Sequence, residues 1–247
     1  MRTIKLILFA ALYFSLSACS QVRYSDNGNV SLISSANENI ILHPITGDEI
    51  DLKTVNGSIK TGKDYVLGNV RTVNGEIRLG ANTQAKVVRS VNGDVQVGSG
   101  SKVQQLQTVN GDQRISGTFI AGDVSSVNGA IRLKDNCQVD GSVITNNGRV
   151  FLENSRIYRN LEMADGYIEL DHATVTGDVV VRKKGFWEYV NLDHLFDFFP
   201  PKIIIGPNSV IEGRLIVNRP AKLYVHESAK IASIEGVEAR YYSGSKP

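Results

Sequence analysis

The chain has 247 residues and is nearly balanced in charge, with 27 Lys and Arg against 25 Asp and Glu. That balance argues against a dedicated nucleic-acid binder, and two cysteines in such a length exclude a disulfide framework. Length alone allows one or two domains.

The first residues read as a targeting segment. Arg2 and Lys5 make a basic start, and residues 4 to 16 are an apolar run too short to span a bilayer comfortably. The run ends in Leu16-Ser17-Ala18-Cys19, which resembles the bacterial lipobox. What the resemblance implies is cleavage before Cys19, lipid on its sulfur, and a membrane partner reached through that lipid. Several acyl chains on one residue hold a protein stably, whereas one does not. Ser20 after the cysteine suggests the outer membrane if the envelope has two. An ordinary secretory signal with a chance cysteine is the plainer alternative. Residues 1 to 18 carry two cations and no acid, so the remainder holds 25 charges of each sign. Residues 19 to 27 are expected to be the lipidated cysteine and a polar tether.

From there the chain repeats. Val-Asn-Gly recurs at Val55-Asn56-Gly57, Val73-Asn74-Gly75, Val91-Asn92-Gly93, Val109-Asn110-Gly111 and Val127-Asn128-Gly129, a step of 18 residues, with Thr or Ser before each copy. Asn146-Asn147-Gly148 and Ala164-Asp165-Gly166 are decayed copies. A short strict period means one small unit stacked on itself, because a single unit cannot bury its own apolar face. After each motif, apolar residues alternate with polar ones. Ile59, Ile77, Val95, Gln113, Ile131, Val150 and Ile168 take the fifth position. Thr61, Leu79, Val97, Ile115, Leu133, Leu152 and Leu170 take the seventh. That is a short strand with one buried face. A second strand ends near Val70, Val88, Leu106, Val124, Leu161 and Val179, and β-branched residues dominate.

Asn-Gly between alternating segments is also a hairpin signal, so an antiparallel meander is one solution. A parallel β-solenoid is the other, and it rewards identical residues at identical positions because they lie about 4.8 Å apart in adjacent coils. Asn56, Asn74, Asn92, Asn110, Asn128 and Asn147 would then form a buried amide ladder, with Asn taking a left-handed backbone at the corner and Gly completing the turn. The expectation is an all-β parallel solenoid over residues 28 to 240, about 18 residues per coil, with a disordered tail at 241 to 247. Residues 202 to 217 and 222 to 231 read as two further coils.

The Thr-Val-Asn-Gly-x-Ile coils resemble the DUF4097-type adhesin-like family, and Ile205-Gly206-Pro207-Asn208-Ser209-Val210-Ile211-Glu212-Gly213 is similar to bactofilins and related polymer-forming β-helices. Together the resemblances cover residues 50 to about 235. They imply a right-handed, three-sided β-helix and carry no active site. A left-handed hexapeptide helix also has coils of 18, but its six-residue subrepeat is absent. Bactofilins are cytoplasmic or membrane-associated polymers, so the lipobox departs from their pattern.

No constellation points to catalysis, a cofactor or a metal. His43, His172, His194 and His226 lack ligand spacing, and there is no phosphate loop or nucleophile elbow. Cys137 reads as a buried small hydrophobe. Glu169, Asp171 and Asp178 fall in one repeat, where they are either a carboxylate cluster for glycoside chemistry or plain solvated acids. Lys60, Arg78, Arg114 and Arg132, with Gln96 among them, would line up as a cationic stripe for an anionic envelope polysaccharide, unless Glu76, Asp94 and Asp112 neutralise it.

Residues 182 to 201 break the rhythm. They hold the only Trp and half of the eight Phe. Phe186, Tyr189, Val190, Leu192, Leu195, Phe196 and Phe199 follow helical spacing until Pro200-Pro201. This short helix either covers the solenoid or forms a site, around Phe186, Trp187, Phe196 and Phe199, for self-association or a protein partner. The functional expectation is a non-enzymatic, lipid-anchored envelope solenoid in surface display, adhesion or assembly. The alternative is a carbohydrate-binding or carbohydrate-active β-helix.

Overall fold

The computed structural model describes residues 21–24, 30–42, 49–183 and 200–247. Cys19 and the aromatic residues of the insertion, Phe186, Trp187, Phe196 and Phe199, lie outside the described residues, and so does the helix expected there. What is described is all-β, a parallel solenoid of about 10 turns.

Each turn contributes to three stacks of strands, here called faces A, B and C in the order the chain meets them around the Asn-Gly corner. Inward on face A lie Leu52, Val70, Val88, Leu106, Val124, Val143, Leu161, Val179 and Leu215, each in register with the next. Face B stacks Ile40, Ile59, Ile77, Val95, Gln113, Ile131, Val150, Ile168, Ile203 and Leu223. Face C stacks Leu67, Ala85, Val103, Ile120, Val139, Ile157, Val175 and Ile211. These columns meet in one buried core, and alternation along every strand sends the intervening polar residues outward. Parallel strands without crossover helices are possible because the chain simply winds on to the next coil. The antiparallel meander is thereby set aside.

The three corners are built differently. At the corner between faces A and B the backbone bends inside continuous strands of 11 residues: Val124–Lys134, Val143–Glu153 and Leu161–Asp171. The ladder asparagines are not left-handed there, which corrects the expectation for them; positive φ falls instead on the glycine that follows, at Gly129 and Gly166. Most of the non-glycine left-handed positions form a column at the corner between B and C, where Asp64, Asn82, Gly100, Gly117, Asn136 (with Asp135 beside it), Asn154, His172 and Asn208 follow one another. Asn, Asp and Gly pay the least for that backbone.

Two boundaries differ from the sequence reading. Residues Gln21–Tyr24 form a strand, β1, paired antiparallel with β2 (Val30–Ser35), so part of the expected tether is an edge strand on the first coil. Such pairing uses backbone groups and is indifferent to the polar side chains that suggested a tether. At the other end Ala239–Tyr242 is a strand, so the solenoid runs two residues into the expected tail. This last described coil is the least covered. Ile231, Ile234, Val237 and Ala239 are only partly buried, and Tyr241, in register with buried Val225, is 68% exposed.

The insertion leaves the stack undisturbed. Val179 pairs with Leu215 and Thr174 with Val210, so the coil with the insertion realigns with the one below it. Its exit lies at the A–B corner. There Arg219, whose side chain is 9% exposed, donates to the Ala164 carbonyl at 3.0 Å and meets Asp165 at 3.5 Å.

Candidate functional site

The asparagine ladder forms as expected and is longer by one rung. Each amide Nδ2 donates to the Oδ1 one coil back: Asn56 to Asn37 at 2.9 Å, Asn74 to Asn56 and Asn92 to Asn74 at 2.8 Å, Asn110 to Asn92 and Asn128 to Asn110 at 2.9 Å, Asn147 to Asn128 at 3.4 Å. The ladder lies on the outside of the corner, not in the core, because its residues are exposed. The buried members are the Thr and Ser two positions earlier. Thr72 donates to the Gly57 carbonyl at 2.9 Å and Ser90 to Gly75 at 3.2 Å. Hydroxyls therefore bond the corner backbone from within while amides bond each other from without.

Solvent competes for an exposed amide, so Asn92→Ala should cost about 1 kcal/mol rather than a buried-group penalty. Asn147→Ala, at the 3.4 Å rung, should cost less. Thermal unfolding of the two variants side by side checks the order.

Gln113 interrupts the apolar column of face B. It is fully buried, donating to Thr108 Oγ1 at 2.8 Å and the Ser125 carbonyl at 2.6 Å, but its Oε1 has no hydrogen-bond partner. Val occupies this column one coil back, at Val95. Gln113→Val removes an unsatisfied acceptor along with two bonds and should raise stability by about 1 kcal/mol in denaturant titration. A loss larger than that would show the Thr108 bond to be the dominant effect.

The stripe of face B is real as geometry. Lys60, Arg78, Gln96, Arg114 and Arg132 are consecutive partners across the strands. It is also compensated. Arg78 pairs with Glu76, Arg114 with Asp94 at 2.6 Å and Asp112 at 3.1 Å, and Arg132 with Asp112 at 2.8 Å. Burial works to raise the Asp112 pKa, but the Ala130 N–H, Arg132 and Arg114 outweigh it and hold the carboxyl below its ordinary value. Among the described residues Lys60 has no acidic partner.

Above Arg132 the same column continues with Phe151 and then Glu169. The Arg132 guanidinium lies 5.1 Å from the Phe151 ring centroid, and Phe151 is 5.5 Å from Tyr167. Tyr167 donates to Glu169 at 2.6 Å, and burial with that carboxylate pushes its phenol pKa up. The three acids considered for glycoside chemistry do not gather. Glu169 is held by Tyr167, Asp171 meets His172 at 2.7 Å, and Asp178 pairs with Arg214 at 2.9 Å at the corner between C and A. The reason is alternation plus cornering: Asp178 lies beyond another turn of the coil.

Cys137 is fully buried, with Sγ near the carbonyls of Lys134 at 3.1 Å and Ile115 at 3.4 Å; burial pushes its thiol pKa up, away from reactive thiolate. Among the described residues no three His, Cys, Asp or Glu side chains come together as a metal site.

An open concavity lies on the corner between B and C, with a volume of about 240 Å³. Three successive coils line it with equivalent triplets: Asn136-Cys137-Gln138, Asn154-Ser155-Arg156 and His172 with Thr174. Each coil opens its triplet with a left-handed residue, and the second residue, Cys137, Ser155 or Ala173, is small and buried. No family model, curated protein or solved structure matches the chain, so a function is read from this fold and its side-chain columns.

Proposed function

We propose that the protein is a non-enzymatic, lipid-anchored solenoid of the bacterial cell envelope that acts by surface display, in adhesion or assembly. The observation that carries this reading is the position of β1. It begins at Gln21, two residues after Cys19, and is hydrogen-bonded to the first coil. A lipid on Cys19 would therefore hold the base of the stack close to the bilayer without a long tether. About 10 turns at ~4.8 Å each would carry the far end roughly 50 Å along the axis. Faces built from repeated positions suit display, because every coil presents similar chemistry at a fixed spacing.

Cys19→Ser is the test. Wild-type protein should incorporate a fatty-acid analogue and fractionate with membranes, and the variant should lose the label and enter the soluble fraction. An unlabelled wild type, or a variant that stays in the membrane fraction, overturns the anchor.

A further inference from the structure

The groove between faces B and C goes beyond that reading. In the corner column most polar side chains are satisfied by a neighbour in the stack: Asn82 donates to Asp64 at 3.0 Å, and Asn208 meets His172 at 3.1 Å. Asn136 and Asn154, between those pairs, spend their backbone N–H groups on the next coil, to the Asn154 and Asp171 carbonyls, yet their side-chain amides bond nothing among the described residues. Gln138 sends its N–H back to the Thr118 carbonyl, and its side-chain amide likewise bonds nothing among the described residues. Three amides with full donor and acceptor capacity thus converge in one concavity, and they are joined there by Arg156 and Thr174.

Face C supplies apolar surface beside the concavity, next to two of its lining residues. Phe119 pairs in register with Gln138, and Gln138 with Arg156. Tyr158 follows Arg156 on the same face, with the guanidinium 5.8 Å from its ring centroid. These rings are 36% and 42% exposed, and they rank among the most exposed large apolar side chains of the described residues. Planar amides and a guanidinium meet paired hydroxyls with two parallel bonds, and an aromatic ring accepts the C–H face of a pyranose. A strongly anionic ligand fits less well, because Arg156 is the one fixed cation lining the groove and Asp171 stands against His172 at its edge. The volume of about 240 Å³ is below the ~300 Å³ where sites for drug-sized ligands begin, which suits one sugar unit of a chain. Because the triplets repeat along the axis, a chain parallel to the axis meets them in succession.

The geometry points to a binding site for a neutral saccharide chain in this groove, with Asn136, Gln138, Asn154 and Arg156 on its hydroxyls and Phe119 and Tyr158 on its ring faces. The test titrates the full chain, purified in detergent, with cellohexaose, chitohexaose and oligogalacturonate in a calorimeter. At least one neutral oligosaccharide should bind. Gln138→Ala combined with Arg156→Ala should weaken it by about tenfold or more at an unchanged unfolding temperature. Arg78→Ala combined with Arg114→Ala, on face B, should leave it unchanged. Three outcomes overturn the site: no binding of either neutral sugar in the millimolar range, binding indifferent to the groove substitutions, or tighter binding of oligogalacturonate that salt and the face B substitutions abolish.

Discussion

Gly93→Ala should destabilise the protein by about 3 kcal/mol, although it adds a single methyl group. A Cβ built at Gly93 overlaps the carbonyl oxygen of Gly75, and one at Gly75 or Gly111 overlaps the glycine carbonyl one coil back in the same way. The obstacle is backbone held in the stack, where Gly75 N donates to the Asn92 carbonyl at 3.1 Å, so it cannot swing aside like a side-chain tip. The corner would have to open, taking with it the rungs from Asn92 to Asn74 and from Asn110 to Asn92. Gly62→Ala is the matched control. Its Cβ would meet only the Tyr65 ring at 3.5 Å, an ordinary contact. There the smaller entropy of the unfolded chain should leave stability unchanged or slightly raised, by about 0.5 kcal/mol. Denaturant unfolding of both variants decides the point. Equal losses would mean that backbone approach at the corner is not what the glycine serves.

Leu106→Ala should cost about 2–5 kcal/mol, the range for emptying a fully buried leucine site. Leu106 is fully buried and sits in register between Val88 and Val124, so the void is closed above and below by residues themselves held in strands. In a stack where each coil contacts only its neighbours, a weak interface in the middle divides the rod into two parts that can open separately. Ile234→Ala, in the sparsely covered last coil, removes similar bulk from a site that is already partly hydrated. Its cost should be about 1 kcal/mol, with fraying confined to that end. Hydrogen exchange reads both: the first variant should speed exchange over coils on either side of Leu106, the second only near residues 230 to 242. Identical exchange maps would contradict a nearest-neighbour stack.

Much of this architecture was legible because the corner between A and B demands particular residues. Only glycine tolerates the carbonyl behind it, only a short amide spans one coil step to its own copy, and only a small hydroxyl fits beneath. Those demands print Thr-Val-Asn-Gly into the chain. The corner between B and C demands a backbone dihedral instead. Asp64, Gly100, Asn136 and His172 all meet it, and a spacing that varies by a residue blurs the period further. The groove inherits that obscurity, since its triplets share a shape more than an alphabet. Whether the ladder faced inward was also undetermined by its period, because a column at a corner is equally regular on either side of the backbone. The preceding hydroxyl was the overlooked sign: in alternating structure, if Thr72 is inside, Asn74 at the next position of like parity has to follow it or leave through the bend. Strand β1 left no pattern, since its pairing is written in main-chain groups.

The amide ladder has one further property. Every rung points the same way, from the Nδ2 of the later coil to the Oδ1 of the earlier one, from Asn147 back to Asn37. A column of identical directed links has no natural length. Duplicating the 18 residues between Asn74 and Asn92 would insert a rung whose donor and acceptor are already matched, with its glycine, its hydroxyl and its strands in place. Extension and contraction of the gene by single repeats would thus change the height of the rod in steps of one coil while leaving its cross-section alone. Stature would be heritable separately from shape.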